Sequence, residues 1–161
     1  KPFHPLELAY RFLLAKGVTT LSLGAEKIED FDFAKKLINS YEKLSKLEIN
    51  ALKNIEKVAN KRLNSSKCEQ CRFCLPCPNE IPIPEILRLR NISIGYGQIE
   101  FAKERYNLIG RAGHWWEKKD STFCLDCNKC VPKCPSGLDI PDLLKETHNL
   151  LIEKPKKRLW D

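Results

Sequence analysis

The sequence contains no methionine in 161 residues, and therefore no initiator residue. The expectation is that the chain has been processed or is a fragment of a longer polypeptide. No stretch approaches the roughly 18 consecutive apolar residues that a membrane-spanning helix needs. The amino terminus, Lys1-Pro2-Phe3, lacks the charged-then-apolar order of a secretory leader. These absences lead to the expectation of a soluble, cytoplasmic chain with no membrane span. In that compartment thiols stay reduced, and clustered cysteines serve metal or redox chemistry rather than disulfides. Hydrophobic residues make up 42% of the chain, so a core is attainable without disulfide staples. The length suits one ordinary domain or two small ones.

The first part reads as alternating helix and strand. Pro5 suits a first helical turn. Leu6, Ala9 and Leu13 recur at helical spacing until Gly17 stops them. Val18 to Leu23 is short and β-rich and ends at Gly24, which predicts a buried strand. Ile28, Phe31, Ala34, Ile38 and Tyr41 mark a second helix. Ser45 and Glu48 have the spacing of a capping box. The helix they introduce carries Ala51, Leu52, Ile55, Val58 and Ala59 on one face. A single strand leaves its backbone groups without partners, so the missing neighbours are expected from absent residues or from another chain. After Asn64-Ser65-Ser66 the composition changes to cysteine, proline and helix, which sets the expected domains at 1–64 and 65–161.

All eight cysteines fall in two blocks, Cys68-x₂-Cys71-x₂-Cys74-x₂-Cys77-Pro78 and Cys124-x₂-Cys127-x₂-Cys130-x₃-Cys134-Pro135. The second is the bacterial ferredoxin run, and the first is shorter by one residue. Three cysteines at successive intervals of three can wrap one cubane, each thiolate reaching a different iron. The fourth, before proline, lies too far along to join them, and in two-cluster ferredoxins it serves the other cluster. The expected ligand sets are therefore crossed: Cys68, Cys71, Cys74 and Cys134 for one [4Fe–4S] cluster, and Cys124, Cys127, Cys130 and Cys77 for the second. Zinc favours two pairs separated by a dozen or more residues, which this tight triple spacing does not match. The net charge of +7 counts the thiols as neutral. With eight thiolates around two dicationic clusters it falls to about +3, so part of the basicity is countercharge and does not argue for nucleic acid.

The repeat continues past the cysteines. Cys77-Pro-Asn-Glu-Ile-Pro-Ile-Pro-Glu-Ile-Leu87 parallels Cys134-Pro-Ser-Gly-Leu-Asp-Ile-Pro-Asp-Leu-Leu144. Each copy places a proline and then an acid where a first helical turn accepts them (Pro84 and Glu85; Pro141 and Asp142). Ile140, Leu143, Leu144, Thr147 and Leu151 keep helical period. Between Cys77 and Cys124 a further helical face runs through Ile99, Ala102, Tyr106 and Ile109. Small β-type ferredoxins set their cysteine blocks close together with hairpins between. The long helical interval here predicts a mostly α, α-helical ferredoxin type of two-cluster domain.

Cys68 to Pro78, with its short final gap, resembles the first cluster motif of the iron–sulfur aldo/keto reductases, which join a TIM barrel to a two-cluster ferredoxin-like tail. Phe101 to Asn107 resembles their helix between the blocks, and Cys124 to Pro135 their second motif. Pro5 to Phe12 and Val18 to Gly24 look like the last helix–strand pair of that barrel. The resemblance implies a helix–strand–helix remnant of a (β/α)8 barrel ahead of the cluster domain. The family's catalytic Asp, Tyr, Lys and His belong to earlier strands that this chain does not contain, so no catalytic residue is assigned. In the family the loop after the last strand contacts the adenosine phosphate of NADP. The corresponding cation is Lys27, but Glu26 and Asp30 stand where the family usually has Ser and Gln, Arg or Asn. NADP is thus expected only with a complete barrel.

His114-Trp115-Trp116 is read as a hydrophobic plug over a cluster rather than an electron exit. His4 and His148 are read as surface or capping residues, because the cysteines fill both coordination spheres. Arg72 and Lys129 lie inside the cluster loops, and the basic tail from Lys154 to Arg158 reads as a solvated end. The expected function is electron transfer with a redox partner protein or a missing N-terminal barrel. The alternatives are a free-standing subunit of a larger redox complex and a structural or redox-sensing iron–sulfur domain.

Overall fold

The computed structural model describes residues 3–39, 43–113 and 117–154. Tyr41, the His114-Trp115-Trp116 segment and the tail beyond Lys154 lie outside the described residues. The chain is mostly helical, as expected, with α1 (Pro5–Ala15), α2 (Asp30–Asn39), α3 (Lys46–Leu63), α4 (Ile83–Arg90), α5 (Ile99–Tyr106) and α6 (Ile140–Leu151). It divides into two compact units, residues 1–55 and 56–161. This division falls inside α3, whereas the composition changes just after that helix ends.

In the first unit, α1 opens with Pro5 at its first position and closes on Gly17 at φ +86°. The Gly17 amide donates to the Leu14 carbonyl and the Val18 amide to Leu13, a Schellman closure whose left-handed residue costs glycine nothing. α1 meets α2 through the buried Leu8 and Leu37 and the edge-on pair of Tyr10 and Phe33. The face of α2 that carries Phe31 and Ile38 is instead exposed.

The capping box forms as expected. The Glu48 amide donates to Ser45 Oγ at 3.2 Å, and the Ser45 amide donates to Glu48 Oε2 at 2.7 Å. Arg11 grips the same carboxylate, Nε at 2.7 Å and Nη2 at 3.2 Å. Burial pushes this carboxyl up, but the Ser45 donors and the Arg11 guanidinium outweigh it and hold the group below the usual carboxylate range.

The expected buried strand is not formed. Residues 18–25 are neither helix nor strand, and Val18 is exposed. Tyr10 donates to the Ser22 carbonyl at 2.8 Å, but no ladder partner exists among the described residues. An extended segment without a neighbouring strand leaves its amides and carbonyls to solvent, so β propensity alone cannot make it a strand.

The second unit is built on the repeat. α4 and α6 both begin Ile-Pro-acid, with the proline at the second position, where a missing amide hydrogen leaves no bond unmade. Asp139 caps α6 by accepting from the Asp142 amide. The two helices pack together on Ile83, Ile86, Leu87, Ile140, Leu144 and Leu151, all almost fully buried, and α5 adds Ala102 and Tyr106. Of these, Ile140, Leu144, Leu151, Ala102 and Tyr106 are positions read from helical period. Arg90, buried at the end of α4, reaches Glu146 on α6 at 3.2 Å and the Ser66 carbonyl at 3.2 Å.

Past Arg90 the helix widens into a single π-turn, Asn91–Gly95. Gly95 lies against the end of α3, where an added Cβ would come within 2.8 Å of Leu63 Cδ1 and 3.4 Å of Ala59 Cβ. Both neighbours are buried and cannot swing into solvent.

Two outcomes follow. Gly95→Ala is expected to cost about 1–3 kcal/mol by overpacking, read as a lower thermal midpoint by circular dichroism. The Glu48 contribution is full above about pH 4.3, the ordinary glutamate value, and is lost as pH falls through the depressed native value. Glu48→Gln should therefore lower stability at pH 7 and flatten its fall between pH 5 and about pH 3. An unchanged acid limb in thermal melts would remove the Arg11–Ser45 account.

Candidate metal centre

All eight cysteines are free thiols, and they line two cavities in the second unit. Cys68, Cys71, Cys74 and Cys134 stand around the first, with Leu87, Leu138 and Ile140 behind them. Cys77, Cys124, Cys127 and Cys130 stand around the second, against Ile81, Ile83 and Leu144. The fourth cysteine of each motif thus faces the cavity of the other motif. Cys74 also forms part of the wall of the second cavity. The two spaces are unequal, about 20 Å³ and about 190 Å³.

The loop backbones repeat as the sequence does. Gln70 and Arg72 flank Cys71 with left-handed φ values of 58° and 66°, and Asp126 and Asn128 flank Cys127 at 49° and 56°. Glu80 and Gly137, each three residues past the last cysteine of its motif, are left-handed as well. Asp and Asn enter this region at little cost, whereas Gln, Arg and Glu do so at roughly 1 kcal/mol or more each. Such alternation of backbone handedness turns amide N–H groups toward one concave side, the arrangement found around anions and iron–sulfur centres.

Side chains that sequence period does not reveal hold these loops. Asn91, buried at the start of the π-turn, accepts from the Cys68 amide at 3.3 Å and donates to the Cys68 carbonyl at 2.8 Å. Gln70 Nε2 donates to Cys68 Sγ at 3.3 Å and to the Pro84 carbonyl at 3.0 Å. Asn79, just past the first motif, donates to the Phe123 carbonyl just before the second. Tyr106 Oη lies 2.8 Å from His148 Nδ1 and accepts from the buried Ser121 amide at 3.4 Å, which fixes the approach to Cys124. The signal for Asn91 was present as an uncharged amide directly following an apolar helix. Its target, 23 residues earlier in the chain, was not.

Electrostatics separates the thiols. Burial, with the neighbouring Cys68 as a lesser cause, pushes the Cys74 thiol up to about 11. Burial also raises Cys68, partly opposed by the Gln70 hydrogen bonds, and it raises Cys130. Cys71 and Cys127 are exposed. Of the other residues read from sequence, Arg72 lines the first cavity and Lys129 the second. His4 is exposed at the cap of α1, and His148 is engaged by Tyr106.

Lys27 lies on an exposed turn in the first unit. The Asp30 carboxylate accepts from the Lys27 amide at 3.0 Å and the Glu26 amide at 2.8 Å, bonds that hold it below the usual carboxylate range. The Glu26 and Lys27 amides are thus engaged by Asp30.

The chain is 25% identical over 120 residues to a probable glycolate oxidase iron–sulfur subunit of Bacillus subtilis (strain 168). The match covers 68% of this chain but 24% of the relative, so the chain spans about a quarter of that protein's length. No family model and no solved structure matches.

In the metal-free chain at pH 8, iodoacetamide should label Cys71 and Cys127 well ahead of Cys74. The thiolate is the nucleophile, so the rate at Cys74 should keep rising as pH approaches 11. Equal rates at the three sites by peptide mass spectrometry would contradict the burial described. Asn91→Ala should leave the Cys68 backbone groups short of partners and cost about 1–3 kcal/mol, read by urea unfolding.

Proposed function

We propose that this chain binds two [4Fe–4S] clusters through its eight cysteines and transfers electrons. The observation that carries this reading is the pair of cavities lined by cysteines of both motifs, with Cys134 on the first and Cys77 on the second. The chemistry of the donors suits the group: thiols from both motifs and apolar walls line each cavity. Cys68, Cys71, Cys74 and Cys134 would hold one cluster, and Cys124, Cys127, Cys130 and Cys77 the other. When bound, such clusters take up and release single electrons.

The chain's own residues supply the rest. Ile81, Ile83, Leu87, Leu138 and Leu144 keep water from the inner side of the cavities. Asn91 and Asn79 fix the loops, so that little reorganisation accompanies a change of charge. Cys71 and Cys127, on the exposed side, mark where electrons enter and leave.

The wider setting is a redox assembly. The relative's name describes a subunit of an oxidase, which favours the reading of this chain as an electron-passing part of a larger oxidoreductase. Attachment to an aldo/keto reductase barrel rests on the sequence resemblance alone, and with it any contact of Lys27 with NADP. In either setting the reaction on a substrate belongs to the partner. No helix among the described residues is long and apolar enough to cross a membrane.

Anaerobically purified protein should contain about eight irons and eight sulfides per chain and give a spin-coupled EPR signal on reduction with dithionite. Stoichiometric zinc, or no reducible centre, would overturn the reading. The crossed assignment has its own test. Cys134→Ser should disturb the centre held by Cys68, Cys71 and Cys74 and leave the other intact, and Cys77→Ser should do the reverse. A chain that purifies with partner subunits supports the assembly, whereas strand–helix repeats encoded upstream support the barrel.

A further inference from the structure

The two cysteine loops repeat each other in sequence and in backbone handedness, but not in what they place beside sulfur. Gln70 and Asp126 both stand two residues after the first cysteine of their motif, and both are left-handed. Each turns its side chain back onto that cysteine. Gln70 Nε2 lies 3.3 Å from Cys68 Sγ, and its second hydrogen goes to the Pro84 carbonyl at 3.0 Å. The Pro84 carbonyl can only accept, so the amide nitrogen must be the atom that faces it. At the equivalent place the Cys124 thiol donates to Asp126 Oδ1 at 3.9 Å. One loop therefore offers sulfur a neutral donor, and the other offers it a carboxylate.

The difference has a sign. A donor to a ligating sulfur stabilises the added negative charge of a reduced centre and raises its potential, while a nearby anion lowers it. Resting on the two-cluster reading, we propose that positions 70 and 126 set the two centres apart in potential. Gln70 raises the one held by Cys68, and Asp126 lowers the one held by Cys124. One electron then leaves the second site, which is oxidised, and enters the first, which is reduced. An external one-electron donor protein resupplies the second site, and an acceptor draws from the first.

The other charges nearby do not supply this asymmetry. Each cavity has one cation on its wall, Arg72 in the first and Lys129 in the second. Glu69 on the first is more than half exposed and paired with Lys67 at 3.2 Å, so it is only partly offset. Of the two carboxylates, Glu69 and Asp126, only Asp126 bonds a sulfur. Lys145 pairs with Asp126 at 3.0 Å, but both side chains are more than half exposed, so the pairing is screened and the carboxylate is only partly offset. The two cavities also differ in volume, so substitutions are needed to isolate the two side chains.

The test is an EPR-monitored redox titration of the full chain carrying Gln70→Glu, Asp126→Asn, or both, after iron and sulfide are counted. Gln70→Glu should lower one midpoint, and Asp126→Asn should raise only the other. Each shift should change the reduced-to-oxidised ratio at fixed potential by about tenfold, about 59 mV for one electron. The double variant should combine both shifts. Full iron with unmoved midpoints, or with both midpoints moving together, would overturn the proposal and leave the two-cluster reading standing. Wild-type protein without reducible iron would overturn both. If Gln70→Glu fails to retain iron, Asp126→Asn decides the matter, because Asp126 makes no bond to loop backbone that is lost on amidation.

Discussion

Neither cysteine motif can close a cavity by itself. The fourth thiol of each lies beyond a proline, past the turn that brings the first three together, and faces the space lined by the other motif. Everything else in the second unit serves that exchange. α4 must lie beside α6, because each helix follows the cysteine that crosses over. Ile83, Leu87, Ile140 and Leu144 are buried between them as a result. Arg90 and Glu146 tie the same helices on their polar side, and Asn79 ties the exit of one loop to the entry of the other. The hydrophobic core and the thiol cavities are thus one structure, with the apolar walls of the second forming the surface of the first.

In α5 and α6 the period of apolar residues announced the core, whereas in α1 and α3 it also marked Leu6, Leu13, Ile55 and Val58, which are exposed. Ala102, Tyr106, Leu143, Leu144, Thr147 and Leu151 could be placed inward because burial on a helix obeys a repeat that is visible along the chain. The caps at Pro5, Gly17, Ser45 and Glu48 were legible for a similar reason: they are local, and local chemistry is written in adjacent letters. The segment from Val18 to Leu23 shows the opposite case. Its composition favours a strand, but a strand exists only where a second one lies alongside, and propensity carries no information about a neighbour. The left-handed Gln70 and Arg72 were equally hidden, since neither residue type advertises that conformation.

Spacing supplies the expectation that thiols pair across the repeat, whereas nothing in it foretells the clamp on Cys68. Asn91 acts because a π-turn follows α4, and nothing in Asn-Ile-Ser-Ile-Gly foretells that the helix will widen rather than stop. Gly95, at the end of that turn, is needed for a different reason: it lets the backbone approach α3 more closely than any side chain would allow. A polar clamp and a close approach, four residues apart, come from the same local departure from α geometry.

The exchange of fourth cysteines also bears on the order in which the protein can be made. A ribosome delivers Cys68, Cys71 and Cys74 long before Cys134, and the first cavity also lacks the wall formed by Leu138 and Ile140 until those residues emerge. For the length of chain between the two motifs, a nascent polypeptide displays three thiols of an unfinished site in an oxidisable state. Synthesis therefore has to reach α6 before either cavity is whole, and any delay within that interval prolongs the exposure of an incomplete thiol set.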